Sequence, residues 1–398
     1  AFFINFIRRI WMIENRWEAF GTSIFSVMSE AALKFKAVNL AQGFPSFDGP
    51  EEIKEAAIAA IKGGFNQYAP ATGIPALREL LSHRQKQTTG IEYNRDTEVT
   101  VFSGATEAIF STILGLCGPG DEIVTFEPFY DSYPASAFAA HAKLKCVELQ
   151  APNWTFTKQQ LAQAITEKTK MILVNTPHNP TGKVFTKEEL GWIRDAAVAH
   201  DLIVVTDEVY EAIVFKPAVH TFLATMDGMR DRTVTISSTS KTFSMTGWKV
   251  GYIFAQPELT KIIRAVHQFV VFCSATPLQY GMVAALKLEK DYFEQFTAEY
   301  LERRDLLLEI LKEAKFKVSV PDGSYFILAD YSQHSQEIDR RFAMWMTEHA
   351  KVATIPISGF FSNTVQAEKK LKYLRFAFCK DLKTLESARE NFKKFGFV

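Results

Sequence analysis

From residue 97 onward, short β-rich runs alternate with helical stretches. The runs are Glu98–Phe102 (EVTVF), Glu122–Phe126 (EIVTF), Lys143–Leu149, Met171–Asn175 (MILVN), Leu202–Thr206 (LIVVT), Thr233–Ser237 (TVTIS) and Val250–Phe254 (VGYIF). Several are continuously apolar and do not alternate. A strand can carry apolar side chains on both faces only where both faces are covered, which is the situation in a mostly parallel sheet flanked by helices. Ala105–Leu116 and Lys187–His200 read as two of those helices. The pattern predicts an α/β fold, with a large domain over 45–285. The remainder reads differently. A charged amphipathic helix over 287–314 precedes strands near 317–320 and 325–329, a helix near 336–349, a strand near 373–379 and a last helix. This predicts a smaller α+β domain over 286–398, joined by an N-terminal arm over 1–44.

Charge excludes some partners. The 398 residues carry 45 Lys and Arg against 45 Asp and Glu. A nucleic-acid binder usually has a basic excess, so none is expected. Apolar residues make up 47% of the chain, enough for a sizeable core, and the 34 phenylalanines read as core and interface filling. Cys117, Cys146, Cys273 and Cys379 form no C-x-x-C pair and no zinc-like spacing with histidine, which predicts free thiols, no metal and a cytoplasmic setting. In the opening segment AFFINFIRRIWMIENRW, arginines interrupt the apolar run. That is neither a signal peptide nor a membrane span, so an arm packing on this chain or a partner is expected.

In α/β sheets ligands bind beyond the carboxyl ends of the strands, so the residues following each run are the candidates for chemistry. After EVTVF, Ser103-Gly104-Ala105-Thr106 opens a helix whose free N–H groups suit a phosphate. After EIVTF comes Glu127-Pro128-Phe129-Tyr130, where an aromatic side chain could stack on a planar ring. After MILVN, His178-Asn179-Pro180-Thr181-Gly182 is a turn, with His178 an ordinary loop residue. After LIVVT, Asp207 ends an apolar strand, where a carboxylate is costly without a positive partner. After TVTIS, Lys241 lies among hydroxyls and apolar groups, with Lys249 eight residues on. Desolvation and a neighbouring cation lower an amine's pKa, and a neutral amine attacks carbonyls to give a Schiff base.

Together S-x-S-K-x-F-x-x-T-G-W-K-x-G, N-P-T-G and D-E-V-Y resemble the class I aminotransferases of the pyridoxal phosphate fold type I. N-L-A-Q-G-F-P-S-F-D-G-P at 39–50 and N-Q-Y-A-P at 66–70 extend the likeness to nearly the whole chain, within the kynurenine and methionine aminotransferase branch. The resemblance implies pyridoxal 5′-phosphate as cofactor, linked to Lys241. It implies Asp207 against the ring nitrogen, Asn179 and Tyr210 on the ring oxygen, and Phe129 on the ring face. For the phosphate it implies Gly104, Ala105, Thr106, Ser238 and Lys249, with Tyr68 reaching across from a second copy in a homodimer. Lys249 stands where many class I enzymes have arginine, and supplies charge without the fork geometry. Arg375, in Y-L-R-F-A-F, is the implied clamp for the substrate carboxylate, completed by Gly43.

The implied activity moves an amino group from an amino acid to a 2-oxo acid by a ping-pong mechanism, with Lys241, Asp207 and Tyr210 at the reacting centre. The segment Phe20-Gly21-Thr22-Ser23-Ile24-Phe25, with Tyr133 and His267-Gln268-Phe269 as further walls, predicts a side-chain pocket for methionine, aromatic amino acids or kynurenine. No clear second arginine for a dicarboxylic substrate is found, with Arg264, nearby in sequence, left open. A β-lyase using the same cofactor on cysteine S-conjugates is the alternative.

Overall fold

The computed structural model describes residues 15–397. The role of residues 1–16 expected above falls almost entirely outside them. Thirteen strands follow in chain order: β1 (Val38–Asn39), β2 (Val99–Phe102), β3 (Glu122–Glu127), β4 (Lys143–Glu148), β5 (Thr169–Asn175), β6 (Ile203–Asp207), β7 (Thr233–Ser238), β8 (Gly251–Phe254), β9 (Lys317–Val318), β10 (Phe326–Asp330), β11 (Val352–Ala353), β12 (Ile355–Pro356) and β13 (Tyr373–Ala377).

β2 to β8 form one seven-stranded sheet in the order β2-β8-β7-β6-β5-β3-β4. From β4 to β7 all neighbours are parallel, and β8 runs antiparallel to both β7 and β2. Six of the seven strands therefore point the same way. Their carboxyl ends, from Phe102 to Ser238, share one edge. The exception has a local cause. β7 and β8 are joined by residues 239–250, which hold only the four-residue helix Thr239–Thr242 and one 3-10 turn and no helix long enough to cross the sheet, and the chain turns back. That turn carries Lys241 and Lys249 and stays at the same edge, because Ser238 pairs with Gly251.

Met171, Ile172, Leu173 and Val174 of β5 are all fully buried, as their unbroken apolar run requires. Odd and even positions feed opposite faces: Ile172 and Val174 join one core cluster, Met171 and Leu173 another. Burying each such side chain is worth about 1.5–3 kcal/mol. The helix Lys187–Ala199 starts after β5 at a capping box. Thr186 Oγ1 accepts the Glu189 amide at 3.1 Å, and Glu189 Oε2 accepts the Thr186 amide at 2.9 Å.

The second sheet is antiparallel, in the order β12-β13-β10-β9. Arg375 lies on its central strand, opposite Leu328 of β10 and Ile355 of β12. The N-terminal part is stitched onto this sheet. Helix Ile24–Phe35 packs on helix Asp339–Glu348, β1 pairs with β11, and the Ala377 amide donates to Leu40 at 2.8 Å. Ala41 and Gly43 are thereby delivered beside Arg375. Among the described residues no helix is long and apolar enough to cross a membrane.

Candidate active site

One cavity of about 390 Å³ opens at the shared carboxyl edge, between the two sheets. That volume falls in the range of roughly 300–1,000 Å³ usual for small-molecule sites. Its walls come from every motif that follows a strand, from the 239–250 turn, and from β10, β13 and the segment around Gly43.

At one end lies a phosphate-sized cradle. Helix Ala105–Leu116 begins with Gly104 as its N-cap, and no side chain caps it. Its first amides have no partners within the helix and face the cavity with positive potential. The turn before it is held shut by Glu107, whose Oε2 accepts the Ser103 amide at 3.1 Å. Glu107 is fixed in turn by Ser111 at 2.8 Å and by His267 Nδ1 at 3.0 Å. Lys249, in the left-handed region at φ 54°, lies directly over Gly104: a Cβ there would meet Lys249 Nζ at 2.9 Å. Gly251 lies under the same turn. A Cβ at Gly251 would stand 2.5 Å from both the Ala105 nitrogen and the Gly104 carbonyl carbon. Ser238 and Ser240 line the same end.

In the middle lie an amine and an acid. Lys241 is on the short helix Thr239–Thr242. Burial is the largest influence on its amine, and its pKa is lowered to about 8. Asp207, at the end of β6, has its carboxyl raised to about 6 because it is buried, against the opposing pull of hydrogen bonds from Tyr133 and the Val209 amide. Asn175, the last residue of β5, ties the two strand ends together. Its Nδ2 donates to the Asp207 carbonyl at 2.8 Å, and its Oδ1 accepts the Asn179 amide at 2.7 Å. Tyr210 is buried and packs edge-on against Tyr325.

At the far end is Arg375, 1% exposed. Its Nη1 donates to Asn179 Oδ1 and its Nη2 to the Ala41 carbonyl, each at 2.8 Å. Phe326 lies 4.0 Å from the guanidinium, with Phe360 and Phe25 at 5.0 and 5.1 Å. Nε has no partner. No carboxylate of the described residues forms an ion pair with Arg375. A buried cation in this condition is completed by an anion from outside.

The structure brings together Gly43, Gly104, Ala105, Thr106, Asn179, Asp207, Tyr210, Ser238, Lys241, Lys249 and Arg375 around one cavity. It corrects several other expectations. Phe129 does not face the cavity. It is buried in the core beneath it, with its amide on the Phe360 carbonyl at 2.8 Å, and Tyr130 takes the wall position. A turn following the strand, not a continued two-residue alternation, decides which of the two aromatics faces in. Phe20 packs with Trp17 and Phe138 at 5.3 and 5.2 Å, away from the cavity. Ile24 lies against Gly359, while Ser23 and Phe25 of the same predicted segment do line the cavity.

Tyr133 is no pocket wall: its hydroxyl donates to Asp207 Oδ2 at 2.6 Å. His267 is buried on Glu107 and the Ala71 carbonyl, and Phe269 is 86% exposed. Arg264 is spent on Thr100 and on the Asp96 and Val99 carbonyls, each at 2.8 Å. His178 is a core residue, bonded to Thr181 and lowered to about 3 by burial. Tyr68 is 83% exposed and lies outside the cavity of its own chain. Asn175, Thr246 and Ser240 line the cavity and carried no signal beyond their places at strand ends and in the turn.

The arrangement fits pyridoxal 5′-phosphate. An uncapped helix start with a lysine above it suits the phosphate, a buried acid suits the ring nitrogen, and an amine of lowered pKa suits the aldehyde.

Comparison with known proteins agrees. The family described as Aminotransferase class I and II matches residues 36–392. A methionine aminotransferase of Escherichia coli (strain K12) is 36% identical over 381 residues, covering 96% of this chain and 98% of the relative. A kynurenine–oxoglutarate transaminase of Dictyostelium discoideum is 37% identical over 412 residues, covering 94% of each. Among solved structures, an Escherichia coli protein described as having a methionine aminotransferase function superposes with a TM-score of 0.92 at 36% identity, covering 96% of this chain and 99% of that one. An N-succinyldiaminopimelate aminotransferase from Mycobacterium tuberculosis superposes with a TM-score of 0.93 at 38% identity, covering 96% and 100%. Sequence motifs, fold and relatives converge, and the chain belongs to the class I and II aminotransferases, enzymes that depend on pyridoxal 5′-phosphate.

Proposed function

We propose that this aminotransferase takes its amino group from an apolar, sulfur-containing or aromatic L-amino acid, namely methionine, an aromatic amino acid or kynurenine. The acceptor is a 2-oxo acid that enters after the first product has left, in a ping-pong sequence. The observation that carries the reading is the single cavity with Arg375 at one end, Lys241 and Asp207 in its middle and an uncapped helix start at the other. Bound cofactor supplies an aldehyde for the amino group and a ring that accepts electrons from the α-carbon.

The chain supplies the rest. Arg375, with an unpartnered Nε, binds the substrate carboxylate, and Asn179 and the Ala41 carbonyl hold its guanidinium in plane. That anchors the α-carbon within reach of Lys241. The Lys241 amine, lowered to about 8, is neutral in a useful fraction near physiological pH and takes and returns the α-proton at Nζ. Asp207 would hold the ring nitrogen through a negative charge, and Tyr210 would hold the ring oxygen.

Phe25 and Phe326 give the substrate side of the cavity apolar surface, beside Ser23 and Gln42. Arg264 is engaged with Thr100, Asp96 and Val99, which argues against its holding a second substrate carboxylate. The methionine and kynurenine transaminases among the relatives support the same donors. We further propose a homodimer, with Tyr68 of one copy completing the phosphate site of the other. The four free thiols fit a cytoplasmic setting.

The test is an absorbance titration of the purified, cofactor-loaded protein. L-Methionine or L-kynurenine should bleach the yellow band, and a 2-oxo acid should restore it. Faster bleaching by L-glutamate or L-aspartate than by either would overturn the donor assignment.

A further inference from the structure

We propose that Tyr133 is the positioning residue of this site: its hydroxyl fixes the Asp207 carboxylate, so that the acid meets the cofactor ring nitrogen as an oriented anion. The inference rests on the reading that Asp207 faces that nitrogen.

Tyr133 is the second residue of the helix Ser132–Ala139, 1% exposed, and its ring stands edge-on to Tyr130 at 5.9 Å. The turn before this helix presents Tyr130 to the cavity, and the first turn of the helix sends Tyr133 behind it. The Tyr133 hydroxyl donates to Asp207 Oδ2 at 2.6 Å. That is the length of a charge-assisted O–H···O⁻ bond, of the stronger kind. The other donor to this carboxylate is the Val209 amide, at 3.4 Å on Oδ1, near the outer limit for such a bond. Asn175 holds the main chain of Asp207 and not its side chain. Among the described residues Tyr133 is therefore the strong anchor on the carboxylate.

The phenol stays protonated here and so has a proton to donate to the ionised carboxylate. Burial and the charge of Asp207 push its ionisation far above the ordinary tyrosine range. A fixed donor on Oδ2 favours the carboxylate over the carboxylic acid and works against the burial that raises it. Lys241 and Glu208 are the other charged groups acting on Asp207, and Tyr130 and Tyr210 face Tyr133. Lys241 favours the anion and Glu208 opposes it. Without Tyr133, protonation of Asp207 would compete with its pairing to the ring, and the side chain would be free to turn.

The experiment compares two ligands on protein stripped of cofactor: pyridoxal 5′-phosphate, and its deaza analogue, in which C–H replaces the ring nitrogen. Only the first can use Asp207. Wild-type protein should prefer the first, and Tyr133→Phe should cut that preference about tenfold with little change in affinity for the analogue. Equal weakening of both ligands would show that Tyr133 only fills space, and would overturn the proposal. Absence of any preference in the wild type would instead remove Asp207 from the ring nitrogen and take the proposal with it. Should Tyr133→Phe fail to fold, 3-fluorotyrosine at the same position keeps the shape and sharpens the donor. The preference should then rise, and an unchanged preference would count against the role.

Discussion

A carboxylate in a nearly dry pocket is costly, and Asp207 shows how this chain tolerates one. Its carboxyl is raised to about 6 by burial, against roughly 3.9 for a free aspartate. The sign follows from linkage. Between pH 4 and 6 the folded cofactor-free protein holds a proton that the unfolded chain has already lost. Stability from this group therefore falls as pH rises through that window, and the loss is complete above it. Asp207→Asn removes the titration while keeping an acceptor for Tyr133. The cofactor-free variant is expected to be more stable than wild type at pH 7.5 by about 1–3 kcal/mol, with the difference vanishing near pH 4. Urea denaturation of both proteins at the two pH values checks this. A constant offset at both would mean that ionisation of Asp207 is not the cause. At this scale much was readable in advance: an acid ending an apolar strand and a lysine after another announce themselves by their cost. Which of Phe129 and Tyr130 faces the cavity did not, because the turn after β3 resets the alternation of side chains.

Among the elements, the junction of β8 with the start of helix Ala105–Leu116 is the least forgiving. Phe102 of β2 pairs with Gly251 of β8, which presses the backbone of Gly251 against the turn that opens the helix. A methyl group has no room there: the contacts would be to backbone atoms at 2.5 Å, and backbone does not swing aside. Gly251→Ala is expected to lower stability by about 1–3 kcal/mol and to weaken cofactor binding more than tenfold, since the displaced amides are those offered to the phosphate. Thermal melts of the stripped and loaded protein, with a cofactor titration, separate the two effects. Unchanged cofactor affinity would show that the turn yields without moving its amides. The helix itself was readable residue for residue, from Ala105 to Leu116, because a small-residue turn precedes an unbroken helical stretch. The buried Glu107–His267 pair that braces this turn was not, since 160 residues separate its members.

For the whole molecule, the exposed apolar side chains carry the next expectation. Tyr68 is 83% exposed with its ring 5.2 Å from that of Phe272, and Phe269 is 86% exposed nearby in sequence. The exposed Tyr68–Phe272 pair fits the proposed contact with a second copy. Tyr68→Phe should leave a dimer intact and weaken cofactor retention by about tenfold, the cost of one hydrogen bond to a charged group. Sedimentation and cofactor release rates measure the two separately. A monomer in sedimentation, or equal retention by the variant, would refute a shared site.

The sheet, its helices and the reactive ends of its strands were legible because they depend on local causes: apolar runs, helical periodicity, turn residues and caps. The motifs after each strand converge for a reason the chain carries along its length, since strands running one way put all their carboxyl ends on one edge. What needed the folded molecule were contacts between distant segments. Asn179 and Ala41 meet Arg375 from 196 and 334 residues away, and Tyr133 reaches Asp207 across 74. Such pairings leave no periodicity behind. They arise from how two sheets and an N-terminal segment close around one cavity, and there the physics of burial chooses which polar groups must find each other.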